Sequence, residues 1–490
     1  MHNDIIKQSI GFLEEQGVTA TDITPDSRLV KPGYIFLAYP GEKTDGRKFI
    51  NQAIAAGAAA IIWDQDGFSW NEAWEIPHVG MTDLKMKIGH IADYVYGSPS
   101  SKLWMVGITG TNGKTSCSHW IADCLSTLQQ KTAIIGTLGN GFQGELVEGP
   151  NTTPDATKLH QDLALYVNEG AVSAAMEVSS IGIEEGRVTG VHFDVGVFTN
   201  LTRDHLDYHG TFEAYGQAKA KLFKWPGLSH AIFNIDDEFG RQLLLEKREA
   251  ESIAYGFNSY DIATNKFVYG RNLKLSEHGM SFEIDSSWGQ AVVKSSLLGA
   301  FNASNLLAVI AVCLVSEISL DDAVRVAGDL KPVLGRMQCV GGGKKPLVVI
   351  DYAHTPDALK KTLATLREFL PPEGRLFCVF GCGGDRDSGK RPLMGEIAAE
   401  LASKVLVTSD NPRSEEPRVI IEDILRGIKT KNYEVVEDRG VAIVQALSLA
   451  QSGDIVLIAG KGHEAYQDIK GVKHHFSDIE TAERTLASIL

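Results

Sequence analysis

The run Gly107-Ile-Thr-Gly-Thr-Asn-Gly-Lys-Thr-Ser116 joins an apolar stretch, LWMVGIT, to a segment with helical spacing from Lys114 to about Leu128. That strand–loop–helix setting is what makes a glycine-rich phosphate loop meaningful. Glycine lets backbone N–H groups turn toward phosphate oxygens, and the following helix N-terminus adds a favourable dipole. Gly110, Thr111, Asn112, Gly113 and Ser116 form the cradle on this reading. Lys114 reaches the β and γ phosphates, and the Thr115 hydroxyl is placed to bind Mg²⁺. The spacing is not the strict one, because five residues rather than four separate Gly107 from Gly113. The expectation is a site for ATP or a relative of it.

A second group suited to such chemistry is Glu177, at the end of the apolar run SAAMEVSS. A carboxylate ending a strand near a phosphate loop suits Mg²⁺, and a buried structural Glu is the other reading. The six cysteines lie scattered in apolar segments with no CxxC or Cys/His spacing, so neither zinc nor a disulfide framework is indicated and reduced, mostly buried thiols are expected.

The elements that must position these groups fall into three segments. A chain of 490 residues exceeds one core and suggests about three domains. Residues 1–100 read as a small α/β unit with apolar runs YIFLAY and AAAIIW and a helical NQAIAAGA between them. Residues 101–333 alternate strands (TAIIGT, SAAMEVSS, VGVFTN, HAIFNI) with helices, which predicts a mainly parallel sheet. Short alternating runs near 270–300 (MSFEID, AVVKSSLLG) predict an antiparallel edge, and the helix NASNLLAVIAVCLV follows. Residues 334–490 carry four apolar runs, PLVVIDYA, RLFCVFG, KVLVTSD and DIVLIAGKG, which predict a second, Rossmann-like parallel sheet. Asp351 and His354 end the first of them.

Composition narrows the class. A formal net charge of −15 argues against general nucleic-acid binding, which needs a basic face. The first residues, MHNDIIKQSIGFLEEQ, read as an amphipathic helix carrying acids, not as a signal peptide. No apolar run approaches the roughly 18 residues of a membrane span. A cytoplasmic protein without membrane insertion is expected, working as a monomer on small molecules.

With GITGTNGKTS at its centre, the sequence closely resembles the Mur ligase family along its whole length. The resemblance continues through NTTP (151–154), MEVSS (176–180), FTNLTRDHLDYHG (198–210), GAFNASN (299–305), LGRM (334–337) and DYAHTPDAL (351–359). It ends in GCGGDRDSGKRPLM (381–394), SDNPRSEEPR (409–418) and AGKGHEAYQ (459–467). The resemblance implies an ATP-dependent ligase of cell-wall synthesis that adds meso-diaminopimelate to UDP-N-acetylmuramoyl-L-Ala-D-Glu. In that reaction ATP phosphorylates a carboxylate, and the incoming amine displaces phosphate from the acyl phosphate. The fold implied is a small uridine-nucleotide domain, a central phosphate-loop domain and a C-terminal Rossmann-like domain.

The same resemblance distributes the roles. Lys114, Glu177, His205 and Lys219 become catalytic, with Thr115, Glu177, His205 and Lys219 around Mg²⁺, Lys219 as a CO₂-derived carbamate. Nothing in AYGQAKAKLF itself separates Lys219 from Lys221, and both read as solvated helix lysines. Asn302, Asn305, Arg336, Asp351 and His354 are assigned to ATP, between the second and third domains; the two Asn also read as helix N-caps. Ser27, Arg28, Asn151, Thr152, Thr153, Ser179 and Arg187 are assigned to the UDP-muramoyl-dipeptide, where an Arg fork suits carboxylate or phosphate.

For the added amino acid the resemblance points to Arg386, Asp410, Asn411, Pro412, Arg413, Gly460 and Glu464. Arg413 pairs with the distal carboxylate of diaminopimelate, a group lysine lacks, and Glu464 takes the distal ammonium. Without the resemblance, Asp-Asn-Pro-Arg reads as a turn before a helix. The sequence departs from the family pattern at Ile181, Glu185, Gln338 and at Glu42-Lys43. Rival readings are a lysine-adding sister enzyme, a folylpolyglutamate synthetase-like enzyme, disfavoured by the first domain, and a non-catalytic nucleotide-binding paralogue.

Overall fold

The computed structural model describes residues 2–41, 44–258, 264, 266–276 and 278–488; Glu42 and Lys43 lie outside the described residues. The strands fall into three main sheets and one hairpin. The first domain runs α1 (His2–Glu15), β1 (Asp22–Thr24), β2 (Tyr34–Ala38), α2 (Ile50–Ala55), β3 (Ala60–Asp64), β4 (His78–Met81) and α3 (Leu84–Val95). Its four strands are all parallel and lie in chain order. β2 and β3 are buried almost throughout, which is why they read as continuous apolar runs rather than alternating ones.

The central domain begins with β5 (Trp104–Thr109), α4 (Lys114–Thr127), β6 (Thr132–Gly136), β7 (Gly139–Gly141), α5 (Ala156–Asn168), β8 (Ser173–Glu177) and α6 (Ser180–Glu184). It continues through β9 (Val195–Phe198), α7 (Leu206–His209), α8 (Phe212–Ala220), β10 (His230–Asn234), α9 (Glu238–Leu245) and β11 (Glu251–Gly256). β12 (Lys266–Ser276), β13 (Gly279–Ser286), β14 (Gly289–Ser295), α10 (Ala300–Val315) and α11 (Leu320–Asp329) complete it.

The ten strands of its sheet lie in the order β14-β13-β12-β11-β10-β9-β5-β8-β6-β7. They are parallel from β12 to β6, with β13 and β14 antiparallel at one edge, where the sequence showed short alternating runs, and β7 antiparallel at the other. β5 sits between β8 and β9, which the chain reaches from opposite sides. The carboxyl ends of these three strands therefore open a crevice, the place where ligands gather in such sheets. α4 and α10 cover one face of the sheet, and α10 is apolar nearly all round because it is buried nearly all round.

The third domain contains β15 (Gln338–Gly341), β16 (Leu347–Asp351), α12 (Pro356–Glu368), β17 (Leu376–Phe380), α13 (Lys390–Leu401), β18 (Lys404–Val407) and α14 (Pro417–Leu425). β19 (Tyr433–Val435), α15 (Arg439–Leu449), β20 (Ile455–Ala459), the hairpin β21 (Tyr466–Ile469) and β22 (Val472–His475), and α16 (Asp478–Ser488) follow. The four apolar runs of the sequence are β16, β17, β18 and β20, neighbours in one parallel sheet of order β15-β16-β20-β17-β18-β19. The antiparallel β15 and the short β19 had no comparable signal.

Two junctions join these units. Between the first and central domains, α3 presses its backbone on the loop after α6. A Cβ at Gly89 would lie 2.0 Å from the Thr189 carbonyl oxygen, and one at Gly190 would lie 2.5 Å from the Gly89 oxygen. His160 of α5, fully buried, meets the Thr189 carbonyl at 3.0 Å, and the Gln161 amide donates to Asp22 at 2.9 Å. Between the central and third domains the contacts are mostly polar side chains, with Leu298 and Phe301 packed against the third core. In the connecting turn the Gln338 side-chain oxygen accepts from Gly335 N at 3.0 Å, which gives that departure from the family pattern a structural role.

Candidate active site

The phosphate loop is held from behind by the segment after β9. Thr111 N donates to the Asn200 carbonyl (2.8 Å), Asn112 N to the Asn200 side chain (3.0 Å), and Thr202 N to the Thr111 hydroxyl (2.9 Å). Gly110 has φ +145° and a Cβ there would lie 2.0 Å from the Thr199 hydroxyl, so the turn requires glycine. Gly113, at φ +89°, caps α4, and Asn305 of α10 abuts it, 2.7 Å from where its Cβ would be. Asn302 is not the N-cap of α10: that position is Gly299, and the Asn302 amide instead donates to the Leu298 carbonyl at 2.9 Å.

Two amines meet on one carbonyl. Lys114 Nζ donates to Gly110 O at 2.8 Å and Lys219 Nζ donates to the same oxygen at 2.9 Å. Lys219 is 1% exposed and lies over the Tyr215 ring, while Lys221 is half exposed and pairs with Glu184 at 2.7 Å. The expectation of two equivalent solvated lysines is therefore corrected for Lys219, because α8 turns that side chain under the phosphate loop. Burial, with the Lys114 charge beside it, drives the Lys219 amine well below the usual lysine range. Tyr215, one turn earlier on α8, also donates its hydroxyl to Thr111 at 3.1 Å; no motif or spacing singles it out.

Glu177 ends β8 buried, and its carboxylate accepts from Thr115 Oγ1 (3.1 Å), Thr137 N (2.8 Å) and Thr137 Oγ1 (3.1 Å). From the third-domain junction, Arg336 donates to the same Thr115 hydroxyl at 3.0 Å. His205 sits at φ +52°, and its Nε2 lies 3.3 Å from Asp204. Burial lowers its imidazole to about 4, with Lys219 and Lys114 adding to the shift and Asp204 opposing it. A neutral imidazole is the form that ligates a metal.

Among the described residues no group of three or more His, Cys, Asp or Glu side chains is arranged to hold a metal ion. The donor set nevertheless fits Mg²⁺, which keeps several waters and takes one or two carboxylates plus substrate phosphates. Glu177 and Thr115 offer hard oxygens side by side. A second ion between His205 and Lys219 fits only if Lys219 carries an oxygen donor, as a carbamate does.

Asp351 and His354 leave the end of β16 in different directions. The Asp351 carboxylate is buried and accepts from Met337 N at 2.8 Å, tying down the connecting turn. The His354 Nε2 lies 3.6 Å from Asp204.

Of the residues expected at the nucleotide-sugar end, Thr153 Oγ1 donates to the Glu177 backbone carbonyl at 2.9 Å and Ser179 N donates to Thr153 Oγ1 at 3.0 Å, so both adjoin the backbone of Glu177. Thr152 meets Thr137 at 3.1 Å, and Asn151 is exposed. Arg187 donates to the Thr153 carbonyl at 3.0 Å and pairs with Glu185 at 2.5 Å, so that departure supplies the arginine with its acid. Ser27 is buried and donates to Gln52 at 3.2 Å, whereas Arg28 is exposed and pairs with Asp26 at 2.6 Å. Ile181 lies half buried in the first turn of α6.

The third domain gathers its set at the carboxyl ends of β17, β18 and β20. A Cβ at Gly383 would lie 2.8 Å from Arg413 Nη1 and 3.9 Å from Arg386 Cγ, so two arginines flank one glycine. Among the described residues neither has an ion-pair partner within 4 Å, although both charges act on the exposed Asp385. Arg413 adopts φ +51°, and its guanidinium donates to the Gly384 carbonyl at 2.7 Å. The Pro412 carbonyl accepts from Glu415 N at 3.0 Å, and a Cβ at Gly460 would lie 2.5 Å from Asp410. Glu464 accepts from the Asn411 amide at 2.8 Å and from Lys461 at 3.0 Å. Lys461, fully buried and not anticipated from the sequence, also bonds Asn411 at 3.0 Å.

Known proteins align with this arrangement end to end. Family models described as "Mur ligase family, catalytic domain", "Mur ligase middle domain" and "Mur ligase, glutamate ligase domain" match residues 19–94, 108–313 and 335–462. The chain is 51% identical over 482 residues to the UDP-N-acetylmuramoyl-L-alanyl-D-glutamate–2,6-diaminopimelate ligase of Chromobacterium violaceum, covering 97% of this chain and 96% of that protein. A solved structure of a ligase with that same name is 37% identical, with a TM-score of 0.68 over 96% of this chain and 95% of that one. The fold is also that of the MurF ligase of Thermotoga maritima solved in complex with ADP, at 20% identity and a TM-score of 0.66 over 95% and 97% of the two chains.

Proposed function

The chain belongs to the Mur ligase family, and from that premise we propose that it joins meso-diaminopimelate to the D-Glu of UDP-N-acetylmuramoyl-L-Ala-D-Glu, converting ATP to ADP and phosphate, in peptidoglycan synthesis. The observation that carries the reading is the Thr115 hydroxyl, 3.1 Å from Glu177 and 3.0 Å from Arg336. One atom thus joins the phosphate loop, a strand-end carboxylate and a cation from the far side of the crevice.

The substrate carboxylate attacks the γ-phosphorus, ADP leaves, and an acyl phosphate results. The amine of diaminopimelate then adds to the acyl carbon, loses a proton, and phosphate departs from the tetrahedral intermediate. Lys114 moves from Gly110 O onto the β and γ phosphates. Arg336 offsets the charge that gathers where two anions meet. Lys219, whose amine burial pushes well below the usual lysine range, adds CO₂ with loss of an N–H proton to give a carbamate. Bound Mg²⁺, held by Thr115, Glu177, His205 and that carbamate, would neutralise phosphate charge.

The named relative of Chromobacterium violaceum supports diaminopimelate as the added amino acid, and so does the pair Arg386 and Arg413. The pair offers a distal carboxylate two guanidinium forks, which lysine would leave unmet. Residues 1–100 bind the uridine nucleotide, 101–333 bind ATP, with 334–490 taking the amino acid. The chain acts as a cytoplasmic monomer on this reading, and among the described residues no helix is long and apolar enough to cross a membrane.

The test is phosphate release with UDP-N-acetylmuramoyl-L-Ala-D-Glu, ATP and Mg²⁺, comparing meso-diaminopimelate with L-lysine. Turnover with diaminopimelate alone is expected. A preference for lysine would overturn the specificity, and silence with both would overturn the enzyme reading. Lys219→Ala should lose turnover, with partial rescue by a small added carboxylic acid but not by bicarbonate; full activity in that variant would remove the carbamate from the account.

A further inference from the structure

The run Thr202–His205 joins the phosphate loop to three points of the third domain, Asp387, His354 and Lys390. Thr202 bonds Thr111 of the phosphate loop, its N–H donating at 2.9 Å. Arg203 pairs with Asp387 of the third domain through two contacts of 3.0 and 3.2 Å. Asp204, 5% exposed, has three basic groups around its carboxylate: His205 at 3.3 Å, His354 at 3.6 Å and Lys390 at 3.6 Å. Neighbouring side chains on an extended segment point to opposite sides, but the left-handed residue at 205 turns the chain so that Asp204 and His205 converge.

The two other partners of Asp204 come from separate elements of the third domain. His354 follows the end of β16, and Lys390 is the first residue of α13. Lys390 is itself buried, so its charge has no water to fall back on. A carboxylate shared this way fixes the third domain at two points and reaches the residue next to it in the same chain.

We propose that Asp204 is a positioning residue: it registers the third domain on the central one through His354 and Lys390, and passes that register to His205. Arg203 and Asp387 form the outer half of the same latch. The assignment rests on the ligase reading for its kinetics, but its structural half does not. When the third domain seats, His354 and Lys390 close on Asp204 and the imidazole of His205 is held toward the phosphate loop. When it lifts, the same carboxylate is left with His205 alone.

The experiment uses the full chain and two readouts. Hydrogen exchange on the free protein is compared for wild type and Asp204→Asn, which keeps the shape and removes the charge. Peptides spanning 352–357 and 386–392 should exchange faster in the variant while those in α5 stay unchanged; identical exchange overturns the latch, whatever the substrate. In the ligase assay, Asp204→Asn should lower kcat at least tenfold and raise KM for ATP and the amino acid, leaving KM for the UDP-dipeptide alone. Asp204→Glu should recover part of kcat. A uniform loss with no KM split would reduce Asp204 to a structural role.

Because a buried variant can fail to fold, the outer pair gives an independent check. Arg203→Asp and Asp387→Arg should each weaken turnover about tenfold, and the double charge swap should regain most of it. A double variant no better than the singles overturns the proposal. Absence of turnover in the wild type would refute the ligase reading and leave the exchange result to decide the latch.

Discussion

The two junctions of this molecule are built from different materials. Where the first domain meets the central one, backbone touches backbone at Gly89 and Gly190. Where the third domain meets the central one, Leu298 and Phe301 pack on the third core but most contacts are ends of polar side chains: Arg336 on Thr115, Asn112 on Asp357 at 3.3 Å, Arg203 on Asp387, and His354 and Lys390 on Asp204. Close backbone packing has one geometry and no intermediate ones. Polar side chains can part, solvate and meet again at modest cost. The difference teaches where motion belongs: the first domain is built as one body with the phosphate loop, and on the proposed reading the third domain is built to come and go.

Four measurements would break or sharpen that contrast. Arg336→Ala strikes the polar junction at its most central contact, and kcat should fall about a thousandfold, roughly 4 kcal/mol in the barrier, with the unfolding midpoint nearly unchanged. A variant that unfolds instead would show this junction to be structural. Gly89→Ala strikes the other one and forces a methyl into the Thr189 carbonyl. It should destabilise the chain by about 3 kcal/mol in denaturant titration, while kcat per folded molecule stays near wild type. Wild-type stability would mean that the contact yields easily and the fixed-joint reading is wrong.

The third measurement is pH. Burial lowers His160 to about 4, with the Thr189 carbonyl opposing and His90 adding to the shift, so the ring is neutral when folded although Asp93 lies 3.8 Å away. The unfolded chain takes up the proton near pH 6.5, so stability is full above that value and declines as pH falls toward the folded value. Between pH 6.5 and 5 the loss should be about 2 kcal/mol from this residue, and His160→Gln should flatten that part of the profile. An unchanged profile would remove His160 from the junction's energetics. The smallest effect is ionic: raising salt from low to about 0.5 M screens pairs with one half-exposed partner, such as Arg203 with the buried Asp387. It should lower kcat/KM about threefold without shifting the unfolding midpoint, and a larger shift in stability than in rate would invert the contrast.

How much of this could be read from sequence depends on the range of the interaction. β2, β3, β5, β8, β16, β17 and β20 were visible because a buried parallel strand must be apolar along its whole length. β1, β15 and β19 span only three or four residues, and the exposed hairpin β21–β22 has no apolar face, so none carried a pattern to detect. The phosphate loop was legible because its chemistry is contiguous.

Lys219 was legible only through family resemblance. Its distinction from Lys221 is that one tucks under Gly110 and the other pairs with Glu184, and spacing along a helix of nine residues cannot express that. Asp204 stood inside a motif already noted, but its partners at 354 and 390 are brought to it by tertiary folding alone. Lys461 and Tyr215 escaped for the same reason: each acts by holding a neighbour that sequence had already named.

The glycine contact between α3 and the loop after α6 makes the first two domains a gauge. With backbone packed on backbone in the joint and the Gln161 side chain bonded to Asp22 across it, the span from Ser27 to Thr115 is fixed by packing, and on the proposed reading the substrate lies along it. A molecule anchored at one end and reacting at the other must match that span in length. One lacking a residue of its peptide would fall short of the phosphate loop, and one carrying an extra residue would overshoot it. Selection by length then precedes any recognition of the group being joined.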